Sequence, residues 1–414
     1  MIKNIKNLVK NMDKLLLIIS IVMFSFGLLN ILNASSREAV VRYEVSMYHY
    51  FIRQLIMLVI GIVLSYVILN LRTKAYGLLI KGLYIIILIM VLALFFVGVD
   101  INGAKNWLPI PGIGTIQPSE FAKPIIIVYL SVLFEKYIRL FKTNNNKKYE
   151  KIGVIVLVGC LIPALTFLQK DFGTMLVSLV IFGVMFISSP LMKSDKIKTI
   201  LVLIGVAFVG MSIIVLRQGY LLSNAQLSRF DFYNPCSKYE TTGYQVCNGF
   251  IALNDGGLFG LGIGKSKQKY SYIPEPHTDS VFAIIGEENG LLRSSLVFIA
   301  YIVIIYRILK ISNESNTIRG RYICLGVATY IFMHIFINLG GLFGIIPLTG
   351  VPLPFLSYGG SYAISLMCSL AVVQRINYEN KTQKIKIKKP IWYEPRFLDK
   401  TETRFLYGKI IIWR

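Results

Sequence analysis

The chain has 414 residues, of which 55% are hydrophobic and only 16% are charged, and its mean hydropathy is +0.63. A soluble fold of this size could not hide so much apolar surface from water, so the composition excludes a soluble domain and indicates a membrane protein. The net charge of +23 lies in short basic clusters between apolar runs, as membrane topology and anionic lipid select. We therefore expect a membrane surface and no nucleic acid as the partner of these charges.

Ten apolar runs predict membrane-crossing helices. The first run is too long for a signal-peptide core, and ILNASS after it is a poor cleavage site, so we predict a retained helix. The predicted spans are 15–32, 54–71, 82–99, 121–134, 152–168, 172–189, 199–216, 281–309, 322–346 and 361–374. The expected fold class is an all-α polytopic membrane protein of about ten transmembrane helices, with one large extracytoplasmic loop, 217–280, between helices seven and eight.

The distribution of lysine and arginine predicts the orientation. With the N-terminus inside the cell, the inner segments hold 31 of the 44 basic residues, so both termini are predicted to be cytoplasmic. The expected organisation is a cytoplasmic N-terminal segment (1–14), a ten-helix transmembrane domain (15–376) and a basic cytoplasmic tail (377–414). The strip KTQKIKIKKP in the tail is more typical of contact with anionic lipid than of a docking site.

A dense polar cluster, YIPEPHTDSVF at 272–282, lies at the mouth of helix eight. The simplest interpretation is that Thr278 or Asp279 caps this helix by accepting N–H groups of its first turn. The alternative is that Asp279 is a partly desolvated carboxylate with a raised pKa that acts as a general base. His277 either orients such a site or is a solvated loop histidine, and we favour the solvated loop.

A second outer cluster, GAKNWLPIPGIGTIQPSEFAKP, spans 103–124. Pro118 suits the first turn of helix four, and Glu120 with Lys123 three residues later predicts an ion pair on one helix face. An ammonium at the end of an apolar run is costly unless it is paired or faces water, which favours a functional role for Lys123. Trp107 is either an interfacial anchor or a platform for a sugar ring.

Other polar positions allow both structural and functional interpretations. In VPLPFLSYGGS (351–361) the glycines either cradle phosphate through backbone N–H groups or form a tight re-entrant turn. Glu287, Glu288 and Arg293 inside helix eight predict a polar interior face. Asp171, in the turn LQKDFGT, is expected to cap helix six.

The five cysteines include no C-x-x-C pair. Cys160, Cys324 and Cys368 lie in apolar runs and are expected to be small core residues. Cys236 and Cys247 lie in the same outer loop, where a bridge is chemically permitted, and we predict a disulfide, with free thiols as the alternative. The bridge would stabilise the fold by at most about 3 kcal/mol.

Taken together, the outer clusters resemble one family. GAKNW…QPSEFAK, KQKYSYIPEPHTDSVFAIIGEE and PLTGVPLPFLSYGGS are similar to the signatures of the shape, elongation, division and sporulation (SEDS) proteins, the FtsW, RodA and SpoVE group. The number of helices, the long outer loop and the predicted cytoplasmic termini match that family, so the resemblance covers about residues 10–380. Within the group, GLGIGKSKQKYSYIPEPHTD is closer to the division-type FtsW proteins than to RodA.

The resemblance implies a peptidoglycan glycosyltransferase that polymerises lipid II into glycan strands at the outer face of the bacterial cytoplasmic membrane, for cell division or cell shape. It implies two kinds of partner: a class B penicillin-binding protein (a transpeptidase), and other division or elongation proteins. The essential aspartate of the family falls on Asp279, which we expect to be catalytic. The expected substrate-binding residues are Trp107, Glu120, Lys123, Lys105, His277, Ser357, Gly359 and Gly360.

Four positions depart from the family pattern. QPDxGT reads QKDFGT with Lys170, the basic residue before the motif tryptophan is Asn106, HTDF ends in Ser280, and GGSS ends in Tyr362. None of these changes removes a residue that we assign to catalysis.

The expected reaction needs a base for the acceptor hydroxyl, here Asp279, and positive charge for the leaving pyrophosphate, here Lys123. The one cofactor candidate is a divalent cation, Mg²⁺ or Mn²⁺, with no ligand residues assigned. A lipid II flippase is the rival class, but it predicts ionisable groups at the midplane and internal repeats, whereas these charges gather at the outer mouths. A non-catalytic divisome scaffold is the third hypothesis, and it predicts that Asp279 is dispensable.

Overall fold

The computed structural model describes residues 8–101, 103–110, 114–141, 143, 146–219, 234–239, 243–270 and 272–388. Most of the predicted basic tail, 389–414, lies outside these described residues, as do 220–233 and 240–242 of the predicted outer loop.

The described chain is dominated by long helices, and each of the ten predicted spans falls on one of them. They are α1 (Lys14–Val41), α2 (His49–Asn70), α3 (Thr73–Val97), α4 (Pro118–Phe141), α5 (Lys147–Leu168), α6 (Phe172–Ser188), α7 (Lys193–Gln218), a shorter loop helix α8 (Tyr244–Gly256), α9 (Val281–Asn313), α10 (Ile318–Leu342) and α11 (Gly360–Lys388). The last helix continues well past the predicted boundary of the tail at 376.

Seven helices of the described chain are long and apolar enough to cross a membrane by length and composition: α1, α2, α3, α5, α7, α9 and α10. Helix α6 is apolar but shorter, with 17 residues. This pattern confirms the expected fold class, a polytopic helical membrane protein. That α4, α6 and α11 also cross, making ten spans, stays a prediction.

Polar contacts distinguish the two ends of the bundle. At one end, which we call the lower end, the carboxylate of Asp13 before α1 pairs with Arg307 of α9, and the backbone N–H of Asp13 donates to Gln374 of α11 at 2.8 Å. At the other end, which we call the upper end, Glu38 of α1 lies 3.4 Å from His277, just before α9. Helices α1 and α9 therefore run antiparallel, and Asp279 lies at the upper end.

Several helices begin where the sequence supplies a cap. Asp13 accepts the N–H of Leu16 at 2.9 Å and starts α1. Asp171 accepts the N–H of Thr174 at 3.0 Å and starts α6, which confirms the capping role expected for it. Such caps satisfy N–H groups that have no partner within the helix.

A small antiparallel sheet at the upper end is the part of the fold that the sequence analysis did not anticipate. It consists of β1 (Val99–Ile101), β2 (Ala104–Ile110) and β3 (Gly114–Ile116) in that order, with Val99 opposite Trp107 and Leu108 opposite Ile116. The sheet joins α3 to α4 and presents the predicted residues Lys105 and Trp107 above the bundle.

The core is centred on α4 and α10. Tyr330 and Phe134 are among the largest fully buried side chains, and a Cβ added to Gly326 would come within 2.6 Å of Ile127, so these two helices pack in close contact. In contrast, none of the apolar stretch of α7 is buried, which is the pattern of a peripheral helix whose side chains face lipid.

Helix α9 is broken at Gly290, where φ is +71° and ψ is 175°. The N–H groups of Leu291 and Leu292 donate to the carbonyls of Gly257 and Leu258 at 2.9 and 3.2 Å, outside the helical pattern. A Cβ at Gly290 would meet the backbone nitrogen of Gly260 at 2.3 Å, so only glycine fits. The first part of α9, 281–289, is therefore a separate and largely buried helix that follows Asp279 directly.

Candidate active site

The three outer clusters of the sequence meet at the upper end. The backbone N–H of Gln117 donates to the hydroxyl of Ser361 at 3.1 Å, and the hydroxyl of Ser365 donates to the carbonyl of Glu120 at 2.8 Å, so the starts of α4 and α11 are joined. The N–H of Tyr358 donates to the carbonyl of His277 at 2.8 Å, which joins the third cluster to the first.

The carboxylate of Asp279 is held by neutral donors. Its Oδ1 lies 3.3 Å from Nε2 of Gln245 on α8 and 3.2 Å from the hydroxyl of Thr278. Burial raises the pKa of the Asp279 carboxyl and nearby Glu275 adds to the rise, while hydrogen bonds from Thr278, from its own backbone N–H and from Gln245 oppose it. Among the described residues no cation forms an ion pair with Asp279, although its side chain is partly exposed. These are properties that a general base requires.

The capping interpretation of Asp279 is wrong. The cap residue of α9 is Ser280, and no side chain accepts a hydrogen bond at that position. The hydroxyl of Thr278 lies 2.8 Å from the carbonyl of Glu275 instead of turning toward the helix. The carboxylate of Asp279 is therefore not used to start a helix.

Asn338 on α10 fixes the backbone beside Asp279. Its Nδ2 donates to the carbonyl of Asp279 and to the carbonyl of Val351, both at 2.8 Å. One amide group thus ties the first cluster to the loop before α11. Because Asn338 is 2% exposed and both contacts are to backbone, the main chain of Asp279 is held firmly, while the residue as a whole is half-buried.

Lys123 and Glu120 form the expected ion pair, with Nζ 2.7 Å from Oε1. The structure adds a third member, because Nζ also lies 3.0 Å from Nε2 of His334, whose Nδ1 lies 3.1 Å from the carbonyl of Pro352. A lysine ammonium only donates, so Nε2 accepts and Nδ1 carries the proton that is donated to Pro352. The result is a connected chain of contacts from α4 through α10 to the loop before α11.

The ammonium of Lys123 is fully buried, which corrects the expectation that it faces the leaving group. Two of its protons are taken by Glu120 and His334, and the ammonium lies 5.8 Å from the centre of the Tyr330 ring. The ring of Tyr362 stacks on His334 at 4.5 Å. Lys123 and Glu120 therefore form part of the framework beneath the upper end and do not lie on its surface.

His277 is not the solvated loop histidine that we favoured from the sequence. It is 2% exposed and lies between the rings of Tyr50 and Tyr358, with ring centres 4.3 and 5.4 Å away. Its Nδ1 lies 3.4 Å from a carboxylate oxygen of Glu38. His277 therefore anchors the segment before Asp279 against α1 and α2, and in this structure it is too buried to contact substrate.

The hairpin residues divide into an exposed and a buried set. Lys105 is exposed and Trp107 half-buried, so both are available to a ligand above the bundle. Asn106 is buried, and its Nδ2 donates to Oδ2 of Asp171 at 2.7 Å. Gln117 donates to the same oxygen at 2.9 Å.

The glycines before α11 serve packing. The N–H of Gly359 donates to Oε1 of Gln54 at 3.2 Å, so it is not free to hold a phosphate. A Cβ at Gly360 would meet Met57 at 2.7 Å, which explains the small residue by the close approach of α2. The hydroxyl of Ser357 accepts the N–H of Leu353 at 2.8 Å and closes a local turn. The tight-turn interpretation accounts for these contacts.

The acidic pair in α9 holds the preceding loop. Glu287 accepts the N–H of Lys267 at 2.8 Å, and Glu288 pairs with Lys269 at 2.8 Å, both carboxylates being buried. A polar interior face was predicted for this helix, and the buried carboxylates of Glu287 and Glu288 form it. Arg293, which was assigned to the same face, is instead exposed because it follows the break at Gly290.

Cys236 and Cys247 form a disulfide in the structure, with Cα atoms 4.9 Å apart. Cys247 lies on α8, two residues after Gln245, which contacts Asp279. The bridge therefore ties a short turn (Pro235–Lys238) to the helix that supports the carboxylate.

A family model described as "Cell cycle protein", for FtsW, RodA and SpoVE proteins, matches residues 13–382. The chain belongs to this family. The SEDS protein described here is similar along most of its length to "Probable peptidoglycan glycosyltransferase FtsW" of Bacillus subtilis, with 33% identity over 392 residues, 93% of this chain and 95% of the relative. The protein of the same description from Enterococcus hirae is 34% identical over 387 residues, 88% of this chain and 93% of the relative.

A sporulation protein and two solved structures are also similar to this chain. "Stage V sporulation protein E" of Bacillus subtilis is 30% identical over 373 residues, covering 88% of this SEDS chain and 96% of its own. A chain from a peptidoglycan synthase complex superposes with a TM-score of 0.67 at 21% identity, covering 89% and 98% of the two chains. The rod shape determining protein RodA of Thermus thermophilus superposes with a TM-score of 0.62 at 22% sequence identity. The match covers 89% of this chain and 97% of the RodA chain. These two structures establish the shared fold.

At each of the four positions that depart from the SEDS pattern, the structure shows a specific contact or backbone conformation. Asn106 donates to Asp171, Ser280 accepts from Gln245 at 2.9 Å, and Tyr362 stacks on His334. Lys170 is exposed and has a φ of +64°, a value that the proline usual in the family could not adopt. Asn106 therefore supplies a neutral donor to the buried carboxylate of Asp171.

Four contributors to this SEDS site were not predicted from the sequence: Gln245, His334, Asn338 and Glu38. The signal for two of them was present. His334 and Asn338 are polar residues four apart within an apolar run, and such residues usually face the interior of a bundle and have a partner there. Gln245 and Glu38 lack any comparable signal, because only the folded loop brings them beside the HTD motif.

The described residues offer little to a metal ion. No group of three or more His, Cys, Asp or Glu side chains in the described part of the chain is arranged to hold one. Asp279 and Glu275 are the carboxylates near the site, and one oxygen of Asp279 already accepts two hydrogen bonds. The divalent cation suggested by the pyrophosphate chemistry therefore has no assigned site, and no step below depends on it.

Proposed function

We propose that this protein is a peptidoglycan glycosyltransferase that polymerises lipid II into glycan strands at the outer face of the bacterial cytoplasmic membrane. The observation that carries the proposal is the state of Asp279: a partly exposed carboxylate with a raised pKa, free of helix capping and free of any cationic partner among the described residues. The names of its FtsW relatives support the same reaction.

In the proposed reaction, Asp279 takes the proton of the acceptor sugar hydroxyl. The hydroxyl oxygen forms a bond to the anomeric carbon of the donor, the bond from that carbon to the pyrophosphate oxygen breaks, and polyprenyl pyrophosphate leaves with the electron pair. A raised pKa makes the carboxylate a better proton acceptor than an ordinary aspartate near neutral pH. The proton is later released to water, which restores the base.

The remaining site residues have positioning roles in this proposal. Asn338 holds the backbone of Asp279, and the Lys123–Glu120–His334 chain holds α4, α10 and the loop before α11 in one arrangement. Trp107 and Lys105 on the exposed hairpin contact the saccharide. Orienting two lipid-anchored substrates in one site contributes to lowering the barrier.

We further propose that the upper end faces the outside of the cell and that both termini are cytoplasmic, in line with the basic residues of the inner segments. The proposed partners are lipid II, a class B penicillin-binding protein, and other division or elongation proteins. The structural relative from a peptidoglycan synthase complex supports a transpeptidase partner.

The deciding experiment is polymerisation of lipid II by purified protein, followed on a gel, with Asp279→Asn and a matched control. Glu44→Gln is the control, because Glu44 is an exposed carboxylate in the connection between α1 and α2 at the same end of the bundle. We expect Asp279→Asn to lower the rate by about 10²- to 10⁴-fold and Glu44→Gln to leave it unchanged.

Near wild-type polymer from Asp279→Asn would refute the base assignment. Absence of polymer from the purified wild type would favour a scaffold role. Movement of lipid II across vesicle membranes without any polymer would favour the flippase.

A further inference from the structure

A cavity of about 280 Å³ opens at the upper end, between the last two turns of α1 and the loop that leads to Asp279. Its lining combines three cationic side chains, one carboxylate (Glu38) and aromatic side chains with two prolines of the YIPEP segment, so the net charge of the lining is positive. The lining residues that matter here are Arg37, Arg42, Tyr244, Tyr270, Tyr272 and Pro276. The reaction described above assigns no role to this cavity.

The charge of the lining favours an anion. Arg37 is exposed and, among the described residues, pairs with no carboxylate; its guanidinium lies 5.0 Å from the centre of the Tyr270 ring. Arg42 is paired with Glu38 at 2.9 Å but remains more than half exposed. A guanidinium carries five donors, so Arg42 keeps several free beyond that contact. The Lys269 ammonium adds positive charge but is occupied by Glu288.

The aromatic walls give the cavity a second property. Tyr270 and Tyr272 are exposed to about 41% and 48%, so both rings are accessible to a ligand in the cavity. Ring faces accept the apolar faces of sugars and orient cations above them. An anion flanked by a saccharide would match both parts of the lining.

The cavity is continuous with the catalytic segment on two sides. Tyr244 directly precedes Gln245, which contacts the Asp279 carboxylate, and Pro276 lies three residues before that aspartate. A ligand in the cavity would therefore touch the two segments that hold Asp279. Both arginines lie near the upper end of α1, a membrane-spanning helix, where lipid headgroups and their phosphates are found.

We propose that this cavity is a binding subsite for the pyrophosphate of a polyprenyl-linked saccharide, with Arg37 and Arg42 as its ligands and Tyr270 and Tyr272 against the adjoining sugar. This inference rests on the proposed function, because joining two such lipids requires a place for each. Guanidinium groups suit this ligand since they bind phosphate oxygens through two parallel hydrogen bonds. The polyprenyl chain stays in the bilayer beside α1.

Binding of polyprenyl pyrophosphate to the purified full-length protein in nanodiscs tests the subsite. We expect the double variant Arg37→Gln/Arg42→Gln to weaken binding by about tenfold or more, because charge-assisted hydrogen bonds are lost. Lys265→Gln is the matched control, since Lys265 is an exposed cation of the same loop outside the cavity. This control should bind as the wild type does.

Competing ligands separate the sources of the anion. Inorganic pyrophosphate should compete weakly, and phosphatidylglycerol at the same mole fraction should not compete. Unchanged affinity in the double variant, an equal loss in Lys265→Gln, or full competition by phosphatidylglycerol would each overturn the subsite. Because binding is measured without turnover, this result is independent of the polymerisation assay: wild-type protein that makes no polymer would refute the proposed function alone.

Discussion

The ammonium of Lys123 lies 3.0 Å from Nε2 of His334, although 211 residues separate them in the chain. Nδ1 of His334 in turn donates to the carbonyl of Pro352. A charge near the start of α4 is therefore linked through His334 to the loop beside Asp279. This link makes the interior beneath the site a single polar unit, whose members should respond together to substitution.

Removing one member of the Lys123–Glu120 pair should be far more harmful than removing both charges. Lys123→Met leaves a buried carboxylate unpaired, and we expect it to lower the free energy of unfolding by about 3–5 kcal/mol. Glu120→Gln should cost a comparable amount, while the double variant recovers a large part of the loss. Thermal unfolding of the wild type, the two single variants and the double variant in detergent measures these losses and their coupling. Additive losses would show that the two residues do not act as a pair.

Replacing His334 tests the longer link. His334→Leu removes both the acceptor for Lys123 and the donor to Pro352, so we expect a loss of about 2 kcal/mol or more together with a slower polymerisation rate. His334→Gln keeps an acceptor and a donor and should lose less of both. His49→Leu, at the start of α2, is the control. Equal behaviour of the Leu and Gln variants would rule out a role for the hydrogen bonds.

Asp279→Asn should change the pH dependence of stability. Burial raises the folded-state pKa of this carboxyl above its unfolded value of about 3.9. The protonated form is then favoured by folding, so the wild type loses stability as the pH rises from the unfolded pKa through the folded pKa. Asparagine does not titrate. We therefore expect the variant to be more stable than the wild type at neutral pH and close to it near pH 4, as melting temperatures would show.

The Cys236–Cys247 bridge should support activity through α8. A non-reduced digest analysed by mass spectrometry should contain the crosslinked peptides, and alkylation of both thiols without prior reduction would contradict the bridge. Replacing both cysteines by serine should cost at most about 3 kcal/mol. The rate should also fall, because Gln245 lies on the same helix as Cys247. Replacement of Cys160, which is unbridged, is the control.

The orientation of the bundle can be tested at its C-terminus. A reporter that is active only outside the cytoplasm, fused after Arg414, should stay silent, and the same reporter placed in the loop near 230 should be active. The reverse pattern would invert the topology and place Asp279 on the side of the membrane where no glycan is assembled.

Local sequence patterns predicted the features that depend on near neighbours. Apolar runs predict the helices because a continuous apolar surface is stable in lipid. Asp171 is predicted to be a cap because its partner, Thr174, is three residues away. The Glu120–Lys123 pair has the same short spacing. The cap and the ion pair are each decided within one turn of a helix.

Features that depend on distant segments were not predictable in this way. Asp279 looked like a helix cap, and only the folded loop shows that its carboxylate points elsewhere. His277 was predicted to be solvated because its neighbours in sequence are polar. Its packing between the rings of Tyr50 and Tyr358 depends on segments that are distant in the chain. The break at Gly290 arises from backbone contacts with 257–260, which no periodicity within α9 reveals.

The break at Gly290 also limits how far Asp279 can lie from the continuous, membrane-spanning part of α9. The continuous part of α9 below it, 291–313, has 23 residues and a length of about 35 Å, enough to cross the hydrocarbon alone with some tilt. The nine residues above the break add no more than about 14 Å. With the break at the hydrocarbon boundary, Asp279 would lie within roughly that height of it, and on the proposed function the acceptor sugar would react close to the headgroup layer. Both lipid-anchored substrates would then present their sugars within this layer, and a product longer than it would have to leave the lipid surface.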